Sequence, residues 1–275
     1  MKALMNLSVF LRKWLGTLSI GILFTMLAWL PARSETLDIV GTGDGMVILE
    51  ALARTFERSH PGDKIHIPES IGSSGGIKAI GSDKNMLGRV ARKLKNKEKP
   101  YGLTHLPIAK FPVVFFVNKS VDVDGLTSQQ VNDIYSGKVV NWQSVGGSKA
   151  KIRVVRREEG DSSLKNLRVS FPGFKDIAIT KRSKTATLTT EIFEIVTSKS
   201  GAIGFGPYAD AVAENVTVLK IDNKQPTDTN YPSFGVLALI FKEVNRNGLV
   251  SAFLEFLTTS AANKAIEDSH ALPYQ

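Results

Sequence analysis

Three short stretches of the sequence combine glycine with hydroxyl or carboxyl side chains. They are residues 41–45 (Gly-Thr-Gly-Asp-Gly), residues 70–76 (Ser-Ile-Gly-Ser-Ser-Gly-Gly) and residues 156–163, which include Arg156 and Arg157. Glycine lets the backbone bend tightly and expose consecutive N–H groups, and serine adds hydroxyl donors at a helix start. Each stretch alone is consistent with an ordinary loop and helix N-cap. Their recurrence favours a shared role in binding an anion.

Each of the three stretches follows an apolar segment and precedes a helical pattern. Residues 37–40 predict a strand and residues 46–59 a helix, because Leu49, Leu52 and Phe56 recur at helical spacing. Strands are also predicted before the other two stretches, and a helix is predicted from about Leu164 onward. The glycines at 41–45 match neither a dinucleotide-binding fingerprint nor a P-loop, so nucleotide binding is disfavoured.

The alternation of strands and helices predicts an α/β fold with mixed, mostly parallel sheets and helices on both faces. Two nearly continuous apolar runs, residues 113–118 and 235–241, predict strands buried on both faces. We expect these two strands to cross between two lobes.

The N-terminal residues predict export. Basic residues within the first 13 positions precede an uncharged run over residues 14–30, and small residues then allow cleavage after Ser34. Residues 1–34 are therefore predicted to be a cleaved signal peptide, with an uncleaved membrane anchor as the alternative. No cysteine follows that could carry a lipid.

Composition narrows the function classes further. The 275 residues contain no cysteine, which excludes disulfides and thiolate metal sites, and the four histidines have no metal-ligand spacing. The net charge of +9 falls to +5 without Lys2, Arg12, Lys13 and Arg33. This positive net charge favours binding of an anionic ligand, but it is equally consistent with a role in keeping the protein soluble. The basic cluster over residues 84–99 is interpreted as a solvated face, and no nucleic-acid partner or cofactor is expected.

Most of the sequence after residue 34 resembles the periplasmic phosphate-binding proteins, the substrate-binding components of phosphate ABC transporters. The resemblance is carried mainly by Ser73-Ser-Gly-Gly-Ile-Lys78, by Tyr135-Ser-Gly-Lys138 with Asn141-Trp142, and by residues 112–118 and 201–205. It implies a two-lobed Venus-flytrap fold, that of type II periplasmic binding proteins, with an oxyanion held in the cleft. The expected lobes are residues 35–115 with 233–275, and residues 116–232.

The resemblance also implies a set of ligand-binding residues. Ser74 and Gly75 match family positions that touch the anion, and Arg157 matches the family's binding arginine. One departure is that Ala91, followed by Arg92, stands where the family has an acidic residue or serine. The full expected set is Gly43, Asp44, Gly45, Ser73, Ser74, Gly75, Arg92, Arg157, Asp161, Ser162 and Ser163.

The expected function is capture of phosphate or a related oxyanion in the periplasm by a monomer, for delivery to the membrane subunits of an ABC transporter, without catalysis. Asp44 or Asp161 is hypothesised to accept the proton of hydrogen phosphate, which sulfate lacks; each is equally consistent with a helix N-cap. Two alternatives remain open. One is a secreted hydrolase with Ser162 or Ser163 as nucleophile, and the other is an anion sensor that works without a transporter.

Overall fold

The computed structural model describes residues 35–274. The predicted signal peptide, residues 1–34, and the hypothesis that it is retained as an anchor lie outside the described residues. Among the described residues, no helix has the length and apolar character needed to cross a membrane.

The strands and helices alternate along most of the chain. The strands are β1 Thr36–Gly41, β2 Lys64–His66, β3 Leu87–Val90, β4 Thr104–Val117, β5 Gly125–Leu126, β6 Arg153–Arg157, β7 Lys184–Ala186, β8 Ala202–Pro207, β9 Thr217–Val218, β10 Lys220–Ile221, β11 Phe234–Phe241 and β12 Leu272–Pro273. The helices are α1 Met46–Ser59, α2 Gly72–Gly81, α3 Ser128–Ser136, α4 Ser162–Ser170, α5 Thr189–Ser198, α6 Tyr208–Ala213, α7 Gly248–Phe256 and α8 Ser260–Asp268. Short 3-10 helices cover Asn96–Tyr101, Trp142–Val145 and Glu243–Asn245.

One curled mixed sheet runs through the described residues in the order β2-β1-β3-β11-β4-β8-β6-β7. The pairs β1–β2, β1–β3, β6–β7 and β6–β8 are parallel. The ladders that β11 forms with β3 and β4, and that β8 forms with β4, are antiparallel. The mixed α/β fold is thus confirmed, with the parallel ladders at the two ends of the sheet and antiparallel ladders at its centre.

Strand β4 joins the two halves of this sheet. Its residues 104–112 pair with β11, and its residues 113–117 pair with β8. We call the elements around β1, β2, β3 and β11 lobe 1, and those around β6, β7 and β8 lobe 2. Within residues 35–274, strand β11 pairs with β3 and with the first part of β4, and the expectation that it crosses between lobes stays a prediction. The lobe boundaries at 115/116 and 232/233 stay a prediction.

Aromatic clusters pack the helices against each half of the sheet. In lobe 1, Phe56 of α1 meets Phe253 of α7 edge to face, with ring centroids 5.4 Å apart. In lobe 2, Phe115 of β4 lies 5.1 Å from Phe171 and 6.1 Å from Phe205. Such edge-to-face pairs add specificity to the apolar burial. These contacts hold α1 against α7 in lobe 1, and the end of α4 against β4 and β8 in lobe 2.

The stretch around Ser73 is helical rather than a turn, which corrects the sequence prediction. Helix α2 begins at Gly72, so Ser73 and the next glycines lie in its first turns. A Cβ atom on Gly76 would lie only 2.8 Å from the Cα of Gly41 at the end of β1. The glycine therefore serves close packing of α2 against β1. Helix α4 likewise begins earlier than predicted, at Ser162.

This close approach predicts a position-specific effect of alanine. Gly76→Ala is expected to destabilise the protein by about 1–3 kcal/mol, because the new methyl group meets backbone that cannot move away. Gly75→Ala is the matched control, since its Cβ would contact only the side chain of Ile71, which is 53% exposed. Urea unfolding without ligand measures both. Equal stability of the two variants would contradict the packing explanation.

Candidate functional site

Four loops that follow β1, β2, β6 and β7 meet between the two lobes. They enclose a cavity of about 330 Å³. In α/β proteins, loops at the carboxyl ends of neighbouring strands form the usual ligand site. The lining residues are 42–43, 70–74, 157–158, 160–162 and 187–188.

Direct hydrogen bonds join the two lobes at this cavity. The Ser73 and Ser162 hydroxyl oxygens lie 2.9 Å apart. The Ser163 hydroxyl donates to Asp44 Oδ2 at 2.8 Å. These residues are buried. The two lobes are thus in contact around the cavity, as expected for a closed arrangement of a two-lobed protein.

Three helices begin at the cavity. Helix α4 has Asp161 as its N-cap, with Oδ1 accepting from the Leu164 backbone N–H at 2.9 Å. Helices α2 and α5 have no side-chain cap. The first N–H groups of a helix carry partial positive charge and need acceptors. The cavity therefore presents helix N-termini that an anion can cap.

Arg157 is the buried cation of the site, with 5% of its surface exposed. Its guanidinium donates to Thr189 Oγ1 at 3.1 Å and to the Thr187 carbonyl at 3.3 Å, and forms an ion pair with Asp161 Oδ2 at 3.0 Å. Its Nε is buried without a hydrogen-bond partner among the described residues. A buried donor left unpaired is costly, so this N–H has hydrogen-bonding capacity that the described residues do not use.

Two buried carboxyl groups share the charge of this arginine. Burial raises the pKa of Asp161, and the charge of Arg157 opposes that shift. Burial, and secondarily the charge of Asp161, raise the pKa of Asp44 to about 7, against the lowering effect of Arg157. Like charges that share a low-dielectric site cannot both ionise easily. Asp44 is therefore poised to hold a proton near neutral pH.

The structure brings most of the expected binding residues together. Those that line the cavity are Gly43, Ser73, Ser74, Arg157, Asp161 and Ser162. Asp44 and Ser163 lie directly behind them and are bonded to each other. Gly45 and Gly75 do not line the cavity: a Cβ on Gly45 would point to Leu237, and one on Gly75 to Ile71.

Arg92 is engaged elsewhere. It forms a buried bidentate ion pair with Glu98, at 2.7 and 2.8 Å, and donates to Ser74 Oγ at 3.0 Å. These hydrogen bonds lower the pKa of Glu98. Arg92 therefore reaches the cavity only through Ser74, whose hydroxyl it orients.

The interpretation of the basic residues 84–99 as a solvated face is wrong for Arg89. Arg89 is fully buried and donates to the Thr42 carbonyl at 2.7 Å, to the Pro68 carbonyl at 2.6 Å and to the Ile39 carbonyl. Burial lowers its pKa to about 10, so it stays charged at neutral pH. The guanidinium thus ties together the loops that precede α1 and α2.

Sequence reasoning missed the fourth loop and its residue Thr189. This buried threonine accepts from Arg157 and faces Asp44 Oδ1 at 3.5 Å, so it connects the cation and the carboxyl group. The preceding strand β7 has only three residues and two are exposed, which leaves no apolar signal. The available signal was the threonine-rich run over residues 185–190.

Thr189→Val tests this connection with a side chain of nearly the same shape. We expect anion affinity to fall about tenfold, because Arg157 loses one of the acceptors that orient it. Thr197→Val is the control on the same helix, where the hydroxyl only bonds backbone carbonyls of its own helix. Calorimetric titration with phosphate measures both, and equal affinities would contradict a positioning role for Thr189.

The hydrolase alternative finds no histidine base at the site. His60 stacks on Phe56, and His66 pairs with Asp38. His105 contacts the Arg92 carbonyl, and His270 packs near Tyr208. Ser162 and Ser163 instead bond Ser73 and Asp44. Within residues 35–274, none of the histidines is therefore placed to act as the base for Ser162 or Ser163.

Comparison with known proteins agrees with the fold. A family model described as a PBP superfamily domain matches residues 30–261. A solved protein from Clostridium perfringens is designated a phosphate ABC transporter substrate-binding protein and contains phosphate. It is 28% identical to this chain, and the match covers 87% of this chain and 100% of that chain with a TM-score of 0.79. The phosphate-binding protein PstS of Bacillus subtilis is 24% identical over 241 residues, covering 85% of this chain and 78% of that protein. PstS of Borreliella burgdorferi is 21% identical over 249 residues, covering 86% and 89%. The family resemblance and the two-lobed fold are thereby confirmed, and the chain belongs to the PBP superfamily.

Proposed function

We propose that this protein captures phosphate in the cavity between its lobes and delivers it to an ABC transporter. The observation that carries the proposal is the buried Arg157, held beside three helix N-termini with one N–H unpaired. A planar guanidinium and backbone N–H groups are the donors that a tetrahedral oxyanion requires. The names of the relatives, phosphate-binding proteins and phosphate transporter components, support the same ligand.

The carboxyl groups supply selectivity. Asp161 lines the cavity beside Arg157, whereas Asp44 lies behind Ser163. Hydrogen phosphate has a proton that a carboxylate can accept, and sulfate has none. Asp161 is therefore the acceptor in this proposal, while Asp44 acts through Ser163 and Thr189. Sulfate has no proton to donate to the Asp161 carboxylate, so the repulsion between the two anions would stay uncompensated and sulfate would be rejected.

Transport follows from lobe closure rather than from catalysis. Contacts such as Ser73 with Ser162 exist only when the lobes meet, so a ligand bridging both lobes stabilises the closed form. The membrane subunits of the transporter would then recognise that form. We place the protein in the periplasm, as a monomer that carries out no reaction.

Asp161→Asn tests the ligand and its selectivity. The wild-type protein is expected to bind phosphate at least on the order of 10²-fold more tightly than sulfate. Asparagine keeps the N-cap but removes the charge, so sulfate binding should strengthen until the two affinities lie within about tenfold. Competition calorimetry at constant pH measures the ratio.

Glu158→Gln is the matched control, because Glu158 also lines the cavity but is exposed. It should change both affinities alike and leave their ratio intact. If sulfate displaces phosphate equally well from the wild-type protein, the proposed selectivity fails. If neither anion binds, the proposed function fails as a whole.

A further inference from the structure

A second cavity of about 600 Å³ lies in lobe 2, apart from the cleft. It is bounded by the loop at residues 137–140, by Ile152 and the first three residues of β6, and by α5. None of its lining residues belongs to the cavity around Arg157. Nothing in the proposed function uses it.

The floor of this cavity is aliphatic. Ile134, Ile152, Val154 and Val155 are buried beneath it, and the partly exposed Val139 and Ile195 add to its apolar surface. Val140 stands at the rim with 45% of its surface exposed. Pockets of 300–1,000 Å³ with an apolar lining are typical of sites for small organic molecules. The size fits such a molecule rather than a single inorganic ion.

Cations surround this apolar floor. None of the lining residues is acidic, and none of the basic ones forms an ion pair within residues 35–274. Arg153 is fixed at the rim by donating to the Ser200 carbonyl at 2.6 Å. Hydrogen bonds from Thr187 lower the pKa of Glu191, and the charge of Lys184 adds a smaller lowering without forming an ion pair. The basic lining residues are Lys151, Arg153, Arg182, Lys184 and Lys199.

We infer that this cavity binds a small amphipathic anion, in which a hydrocarbon chain lies on the floor and a carboxylate or sulfonate group meets the basic rim. Five cations without acidic partners create a positive potential that a neutral or cationic molecule would not satisfy. A nucleic acid would leave the aliphatic floor empty. A medium-chain carboxylate matches the volume, the apolar floor and the charge together.

The aromatic sulfonate 1-anilinonaphthalene-8-sulfonate is the probe, because its fluorescence rises in an apolar site. We expect saturable binding of one probe molecule per protein and displacement by decanoate below its micelle concentration. Decyltrimethylammonium, with the same chain and the opposite charge, should not displace the probe. Phosphate should not displace it either, since the cleft is a separate site. Displacement by phosphate, or equal displacement by the cationic amphiphile, would overturn the inference.

Charge reversal locates the site on the protein. The Arg182→Glu, Lys184→Glu double variant changes two exposed side chains and should weaken decanoate binding about tenfold. Lys175→Glu is the control, because Lys175 is exposed and does not line the cavity. Val140→Asp adds a negative charge at the rim and should weaken binding in the same direction. Unchanged affinity in the double variant, with its melting temperature intact, would contradict the inference.

Discussion

Replacing Arg157 with methionine is expected to weaken phosphate binding by about 10³-fold. The substitution removes the buried cation and at least two charge-assisted hydrogen bonds to the anion, each worth about 1.5–3 kcal/mol. It also leaves Asp161 and Asp44 without their shared counter-ion. Because a buried carboxyl group without a partner protonates or destabilises the fold, near-ultraviolet circular dichroism must show that the variant is folded.

Two further variants separate the geometry of the guanidinium from its charge. Arg157→Lys keeps the charge but cannot donate to several acceptors in a plane, so we expect an intermediate loss of about 10–10²-fold. Arg156→Met is the control on the adjacent position, where the arginine pairs with Glu159 near the surface. Titration calorimetry measures all three. Wild-type affinity in a folded Arg157→Met protein would rule Arg157 out as the anion ligand.

The second large effect is the pH dependence that Asp44 gives to the free energy of unfolding. Asp44 has a pKa of about 7 in the folded protein and 3.8 as its ordinary value. The folded state therefore binds this proton more tightly than the unfolded state. The contribution of this proton to stability is full below about pH 4, falls as the pH rises to about 7, and is then constant. The total loss is about 4 kcal/mol.

Asp44→Asn removes this dependence because asparagine does not ionise. We expect the free energy of unfolding of the variant, relative to wild type, to rise by about 4 kcal/mol between pH 4 and pH 8. Urea unfolding without phosphate at pH 4, 6 and 8 measures the change, with the exposed Asp176→Asn variant as control. Parallel pH profiles for wild type and Asp44→Asn would show that Asp44 titrates normally.

Local sequence patterns predicted three of the four loops that form the cleft. Glycine, serine and aspartate after β1, before α2 and after β6 were visible because each follows an apolar strand. Their meeting at one cavity required the parallel pairing of β1 with β2 and of β6 with β7. That pairing is a property of the whole sheet, and only the family resemblance indicated a common cleft.

Other features depend on tertiary contacts that leave no local signal. Arg89 looks like its basic neighbours in sequence, yet its side chain is buried and donates hydrogen bonds to three backbone carbonyls. Arg92 is neutralised by Glu98, six residues later, through a fold of the chain that spacing does not reveal. The glycines of α2 resemble a turn in sequence because the packing partner of Gly76, Gly41, lies 35 residues earlier in the chain.

A crystal structure of the protein grown with phosphate tests the central claim most directly. The proposal predicts one phosphate in the cavity between the lobes, bonded to the Arg157 guanidinium, to the first N–H groups of α2 and to the hydroxyl of Ser74 or Ser162. A phosphate oxygen should lie within hydrogen-bond distance of the Asp161 carboxylate. Phosphate bound elsewhere, or an empty cavity at saturating phosphate, would contradict the claim that these loops form the anion site.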